Sequence, residues 1–393
     1  MSSPASQLGS KLTAFVFTLT LLAFVVESQL TQYVETTLSY THPYFIFYLV
    51  HSCFIISFPC HLLYLTQTSG RPASDFIKGL KLAIIDHFSP RRSVGSLEVA
   101  KFPLYKFLCV VVALTAAVTF PALLWFAAMT LSSVTDVTAI WNTNAFFSYL
   151  ISVKAFGLKW ETRKLGAVVL ATAGVLAVVY GGSTSSDESH SASTTLPNPD
   201  VKPSKPLIGD LMTLVASVGY AGYQVFYKKY AALAEPKDPD DENYEPLPGP
   251  ETAANVASSA DDEDAVYPPP YGLHSNLLTF TIGLCTMVLL WIPIPFLHWF
   301  DIEPFALPQN ATTVGVILAI ILSGSVFNAG FMILLATLGP IITSVGGLLT
   351  IVFVFISDVA LGATEALTLW SVMGSATIIA AFGVLAYDIL NRR

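Results

Sequence analysis

Charge is scarce in this chain of 393 residues. Only 12 % of it is charged, against 53 % hydrophobic, and the mean hydropathy is +0.63. A soluble domain is about one quarter charged. An ordinary soluble protein is thereby excluded, and so is a disordered one, which needs low hydrophobicity. Cysteine is scarce too: Cys53, Cys60, Cys109 and Cys285 all sit in apolar runs and none forms a CxxC pair. That spacing supports neither a disulfide framework nor a metal site, and reads as small packing residues. The chain has no GxxxxGK[ST], HExxH or GxSxG motif, and no intramembrane acid pair at the spacing of an aspartyl protease. An ATP-driven pump on this chain is excluded. The expectation is a non-enzyme with no cofactor and no metal, and the acidic pI of about 5.3 gives no reason to expect a nucleic-acid partner.

What is present is apolar sequence in lengths that suit a bilayer. A membrane-spanning helix needs about 20 mostly apolar residues. Ten stretches qualify: 12–31, 44–65, 105–128, 134–155, 165–180, 207–227, 273–297, 313–337, 341–361 and 369–390. They are continuous rather than alternating, which predicts helices and not a barrel. Lys11 before the first stretch resembles a signal peptide, but Val25-Val26-Glu27-Ser28 lacks the small-x-small cleavage pattern, so retention is expected. With the N-terminus in the cytoplasm and alternating spans, 17 of the 19 Lys and Arg fall on the cytoplasmic side and only Lys202 and Lys205 on the other. That bias predicts both termini to be cytoplasmic. Asn310-Ala311-Thr312, a glycosylation sequon, falls in a lumenal loop, as this topology requires.

The net charge of −8 belongs to one segment. Residues 233–267 hold eleven acids against Lys237. The region 233–272, ending in Pro268-Pro269-Pro270, is predicted to be a disordered acidic cytoplasmic loop. Residues 182–206, rich in Ser, Thr and Pro, read as a lumenal linker. The basic cytoplasmic segment 67–103 contains an amphipathic pattern around Phe76, Ile77, Leu80 and Ile84, which suggests a helix on the cytoplasmic surface.

The linker divides the chain into halves, 1–181 and 207–393, of five spans each. Gly157-Leu158-Lys159-Trp160-Glu161 corresponds to Gly362-Ala363-Thr364-Glu365. Gly166 corresponds to Gly374, Thr130-Leu131 to Thr337-Leu338, and Gly-Val-Leu-Ala occurs at 174–177 and 383–386. An odd number of spans per half inverts the second half relative to the first. The predicted fold is therefore all-α and polytopic, with ten transmembrane helices as two inverted five-helix repeats, a plan that places a binding site near the midplane.

Polar side chains in spans are expensive and face protein or water. In the sixth stretch, Asp210, Thr213, Ser217, Tyr220 and Gln224 form one helical stripe. The ninth repeats this with Thr343, Gly347 and Thr350, and the fourth is polar on two faces through Asp136, Asn142, Thr143 and Asn144. For a single Ser or Thr, bonding to its own helix is the commoner outcome. Four acids lie in or at the edge of spans: Glu27, Asp136, Asp210 and Asp358. No Lys or Arg occurs inside stretches seven to ten, so the cavity reads as neutral to acidic and suits a cationic or zwitterionic organic solute. Glu27, Asp136, Asn142, Asn144, Asp210, Tyr220, Gln224, Asn328 and Thr343 are the candidate solute-binding residues. Glu27 or Asp136 is the candidate proton or cation site. His51 and His61 are candidates for proton relay, although packed histidines are the commoner case.

The chain resembles the drug/metabolite transporter superfamily (EamA-like), and within it the F-type branch of solute carrier family 35. The resemblance rests on 135–147 in the fourth stretch, on Gly209-Asp210 through Tyr227-Lys228-Lys229, on Phe327-Asn328-Ala329 leading to Gly339-Pro340-Ile341-Ile342-Thr343-Ser344, and on the closing Gly-Val-Leu-Ala. It implies a multi-pass carrier working by alternating access around spans one, three, four, six, eight and nine, with spans five and ten peripheral and available for a homodimer. It also implies a small organic solute of the thiamine kind. The chain lacks the late basic residues of nucleotide-sugar carriers. A nucleotide-sugar or other anion exchanger of the same fold is the alternative, and a non-transporting membrane scaffold a third. The lumenal sequon suits an endomembrane location, vacuolar or Golgi, over the plasma membrane.

Overall fold

A computed structural model describes residues 4–88, 102–129, 131–132, 134–183, 206–233, 265–360, 362 and 367–391. The linker 184–205 and the acidic stretch 234–264 lie outside these described residues. Every regular element among them is helical.

The chain opens with α1 (Pro4–Thr36), then α2 (Pro43–Ser52), which continues through a 3-10 turn, Cys53–Ile56, into α3 (Ser57–Ser69). Next come α4 (Ala73–Phe88), α5 (Leu104–Met129), α6 (Val134–Asn142), α7 (Asn144–Phe156) and α8 (Thr162–Ser183). The second half holds α9 (Pro206–Phe226) with a π-helical turn at Tyr227–Ala231, α10 (Leu273–Leu289) and α11 (Pro293–Trp299). It closes with α12 (Ala311–Gly347), α13 (Leu349–Ala360) and α14 (Leu369–Asn391).

Six helices are long and apolar enough to cross a membrane, and a bent pair, α10 with α11, makes a seventh. The chain is thus built as a polytopic membrane protein. The ten apolar stretches of the sequence all meet helices, but several do not qualify singly. Residues 134–155 are split at Thr143 into two short helices. Stretches eight and nine run together as α12, interrupted where Gly339 takes φ 77° and ψ 171°. Pro340 disfavours helical geometry in the residue before it, and glycine alone accepts the positive φ cheaply, so Gly339-Pro340 turns the chain inside an otherwise continuous apolar run.

The helices pair in a regular pattern. α1 packs along α12, and α5 packs along α9; α8 packs on α14, and the α2–α3 span on α10. α6 and α7 lie on α9, as α13 lies on α1. At the α8–α14 crossing, a Cβ on Gly174 would stand 2.8 Å from the Gly374 carbonyl oxygen, and one on Gly374 would stand 2.6 Å from that of Gly174. Backbones this close require small residues. Gly374→Leu is expected to push the two helices apart and lower the thermal midpoint of the detergent-solubilised chain by several degrees, whereas Gly166→Leu, where a Cβ meets nothing within 4 Å, leaves it unchanged.

Two apolar cores result. One joins α2 to α5 with α9, α10 and α12; the other joins α1, α7, α8, α13 and α14. The first contains the amphipathic helix α4. Its Phe76, Leu80 and Ile84 are buried in that core. The amphipathic helix expected in 67–103 is present, and its apolar face is covered by protein. His87 Nε2 lies 3.0 Å from the Tyr230 carbonyl oxygen, and Lys106 Nζ donates to that of Phe88 at 3.2 Å. The Val266 N–H donates to the Asp75 carbonyl at 3.0 Å. The expected disordered loop 233–272 is therefore corrected at its end, where 265–272 is described and seats on α4.

Candidate functional site

The sixth-stretch stripe folds as foreseen onto one face of α9, and each member finds a different neighbour. Asp210 Oδ1 accepts from the Ser132 hydroxyl at 2.5 Å. Thr213 donates to the Gly209 carbonyl of its own helix at 2.9 Å. Ser217 Oγ lies 3.0 Å from Thr143 Oγ1, across to the break between α6 and α7. The Tyr220 ring lies 5.0 Å from that of Trp141, and Gln224 Oε1 stands 2.5 Å from the Ser344 hydroxyl on α12. Thr213, Ser217 and Gln224 are buried. The stripe lies along the seam that α9 shares with α5, α6, α7 and α12.

The three asparagines share one habit. Asn142 Nδ2 donates to the Thr138 carbonyl at 2.7 Å, Asn144 Nδ2 to that of Trp141 at 2.8 Å, and Asn328 Nδ2 to that of Gly324 at 2.8 Å. Each amide spends a donor on a carbonyl three or four residues earlier in the chain, for Asn144 across the break between α6 and α7. The Oδ1 end of each, an acceptor only, is the end not tied down in this way. Thr343 is buried and its hydroxyl meets no partner among the described residues.

Of the four acids in the spans, three are engaged. Asp210 has Ser132; Asp136 accepts from the Tyr180 hydroxyl at 2.7 Å; Asp358 accepts from Gln29 Nε2 at 2.6 Å, which ties α13 to α1. Glu27 differs. Its carboxylate faces Gly324 of α12 so closely that a Cβ there would stand 2.6 Å from Oε1 and equally near Val50 Cγ1 of α2. No hydrogen bond or ion pair engages Glu27 among the described residues. Glycine at 324 makes the room that this carboxylate occupies.

The histidines separate. His51 Nδ1 lies 3.1 Å from the Phe47 carbonyl of its own helix, and its ring sits between Phe47 and Phe54, a packed arrangement. His61 Nδ1 stands 2.7 Å from the Asn276 side-chain amide, which ties α3 to α10. Asn310 is exposed at the start of α12.

Two features were not singled out in the sequence. A row of rings runs between helices: Trp125, Trp141, Tyr220, Phe331, Phe327 and Phe24, with consecutive centroids 4.9–6.3 Å apart. Their signal is diluted among 26 Phe, 16 Tyr and 6 Trp in the chain. Two lysines also reach across helix ends. Lys229 Nζ donates to the Ala155 carbonyl near the end of α7 at 3.0 Å, and Lys228 Nζ to that of Ala336, just before the Gly339 break. Both cations thus sit where helix ends leave carbonyls without intrahelical partners.

Among the described residues no group of three or more His, Cys, Asp or Glu is placed to hold a metal. A pocket of about 460 Å³ forms an outer groove between α8 and α14, lined by Arg163, Lys164, Gly383 and Tyr387, away from the ring row.

No family model matches the chain. Over 282 residues, 68 % of this chain and 67 % of the relative, it is 24 % identical to a protein of Schizosaccharomyces pombe described as an uncharacterized transporter. A protein of known crystal structure shares the fold over 95 % of this chain and 96 % of its own, with a TM-score of 0.53 at 10 % identity; at that identity the likeness speaks for the fold alone.

Proposed function

We propose that this chain is a secondary transporter that moves a small organic solute, cationic or zwitterionic, by alternating access. One observation carries the reading: Glu27 is a carboxylate in a membrane span, set against Gly324 and Val50, with no cation or hydrogen bond on it among the described residues. A carboxyl group kept there without a partner is costly whether it is ionised or protonated, and acids held at that cost in membrane proteins serve ions, protons or substrates. Asp136, the other candidate for that role, already accepts from Tyr180. The remaining candidates, Asn142, Asn144, Asp210, Tyr220, Gln224, Asn328 and Thr343, supply further acceptors and a ring. The relative described as a transporter supports transport in general.

The ten-span, inverted-repeat architecture belongs to the same proposal. Exchanging the halves turns the α1–α12 pairing into the α9–α5 pairing, and α13 on α1 into α6–α7 on α9. The breaks at Thr143 and Leu348 stand 205 residues apart, and so do Gly157 and Gly362, both at positive φ. The halves 1–181 and 207–393, cytoplasmic termini, an endomembrane location, glycosylation at Asn310, contact through α8 and α14 between two copies, and membership of the drug/metabolite transporter superfamily complete the reading.

The test is uptake by the full chain reconstituted in vesicles, offered labelled cationic, zwitterionic and anionic solutes under an imposed pH gradient. Saturable uptake of a cation or zwitterion is expected. Uptake confined to a nucleotide sugar overturns the charge argument in favour of an anion exchanger. Deleting 235–260 is expected to leave uptake within about twofold, because a segment this acidic and this poor in apolar residues has little to bury in a core. Loss of all activity on that deletion favours the scaffold reading.

A further inference from the structure

The contact between α9 and α12 fixes which way round an amide must sit. Ser344 Oγ lies 2.6 Å from the Pro340 carbonyl oxygen and 2.5 Å from Gln224 Oε1, and both neighbours are acceptors. A hydroxyl has one proton and cannot donate to both. The conflict disappears when the Gln224 amide is turned end for end about its last torsion, a choice that the hydrogen-bond network decides. Nε2 then donates to Ser344, and Ser344 donates to Pro340. Each proton has one acceptor.

The turn has a chemical consequence. Gln224 is 1 % exposed, and its amide end away from Ser344 meets no partner among the described residues. With the amide turned, that end is Oε1: a buried acceptor awaiting a donor. Thr343, on the same turn of α12, is 2 % exposed and its hydroxyl is likewise unpartnered among the described residues. Tyr220, one turn before Gln224 on α9, holds its ring 5.0 Å from Trp141 and 6.1 Å from Phe331. The buried acceptor thus follows directly on the ring row. An orphaned acceptor costs free energy until a donor arrives, and a site built so rejects a ligand that lacks the donor.

We propose that Gln224 Oε1, its amide held by Ser344, reads an N–H donor on the solute, so that the transported cation is one that carries N–H groups, of the amidinium, guanidinium or protonated-amine class, rather than a quaternary or N-alkylated ion. This rests on the reading of the chain as a carrier of organic cations and narrows it. The opposite orientation would offer Nε2 to the solute and suit an anion; the single proton of Ser344 argues against it.

The experiment uses two flat monocations, benzamidinium with N–H groups and N-methylpyridinium without. Apparent affinities are read from the shift of the thermal midpoint of the detergent-solubilised full chain. Wild type is expected to bind both and to prefer benzamidinium. Gln224→Met, close in shape but unable to hydrogen bond, is expected to lose about tenfold for benzamidinium and less than twofold for N-methylpyridinium. Ser344→Ala, which frees the amide to turn, reduces the same preference and carries the test if the Met variant does not fold. Equal losses for both cations, or none, overturn the role of Gln224 while leaving a cation carrier standing. A wild type that binds neither cation overturns the cation reading and this inference together.

Discussion

Replacing Glu27 with Gln is expected to do two opposite things to the protein. Uptake of a cationic solute falls about 100-fold, because removing one member of a buried charge pair costs roughly 2–5 kcal/mol of binding. The thermal midpoint of the empty protein rises. The carboxylate lies between α1, α2 and α12 against Gly324 and Val50, and no hydrogen bond or cation engages it among the described residues. A carboxyl group buried without a partner either holds an uncompensated charge or takes up a proton, each at a cost to the fold, and a neutral amide of the same shape relieves that. The combination discriminates. A Glu27 that served only to hold helices together would give a lower midpoint when neutralised. A falling midpoint with retained uptake sinks the assignment. Asp358→Asn makes the contrast, since Asp358 accepts from Gln29 across α1 and α13 at 2.6 Å and its neutralisation removes a charge-assisted bond. That variant should lose stability and keep the solute's affinity.

Sequence could flag the four acids but not sort them. What sorts them is who stands opposite, and the partners are remote: Ser132 for Asp210 across 78 residues, Tyr180 for Asp136 across 44, Gln29 for Asp358 across 329. No periodicity carries that information. The asparagines show a different limit. Asn142, Asn144 and Asn328 stand out in apolar runs as if to face a cavity, yet each spends a donor on a carbonyl three or four residues earlier in the chain. A short polar side chain satisfies itself locally, and the sequence looks the same either way. The Gly339-Pro340 break was readable in principle, because proline restricts the residue before it and glycine accepts the result. The break at Thr143 was not, since Thr143 keeps helical angles and only the chain's continuation changes. The α9 stripe was legible as a stripe because its spacing of three and four residues is geometric. That it forms a seam with four other helices, and that Ser344 fixes Gln224, emerges only once these helices meet.

Helix α4 shows best what an amphipathic pattern omits, and it carries the second large effect. The pattern of Phe76, Leu80 and Ile84 says that one face is covered; it cannot say whether by lipid or by protein. Here the cover is the core shared with α9 and α10, and α4 is locked there by segment 265–272. The lock demands a glycine. A Cβ on Gly79 would stand 1.8 Å from the Val266 carbonyl oxygen and 2.6 Å from its carbon, both backbone atoms that no rotamer can move. Gly79→Ala sets two effects against each other. Alanine in a helix interior gains about 1 kcal/mol over glycine. The forced separation costs about 1–3 kcal/mol of overpacking and puts at risk the bond from Val266 N–H to Asp75, worth about 0.5–1.5 kcal/mol. The clash wins. Amide exchange at Val266 is expected to accelerate at least about tenfold, the equivalent of 1.4 kcal/mol of local opening, while exchange within α4 is unchanged or slower. Because His87 Nε2 of α4 lies 3.0 Å from the Tyr230 carbonyl oxygen, next in the chain to Lys228 and Lys229, the same substitution tests whether that end of the bundle must open during transport. If it must, Gly79→Ala raises labelling of a cysteine placed at Ser275, whose hydroxyl now accepts from Tyr227 at 3.0 Å. Unchanged exchange at Val266 would show that 265–272 does not hold α4 in place.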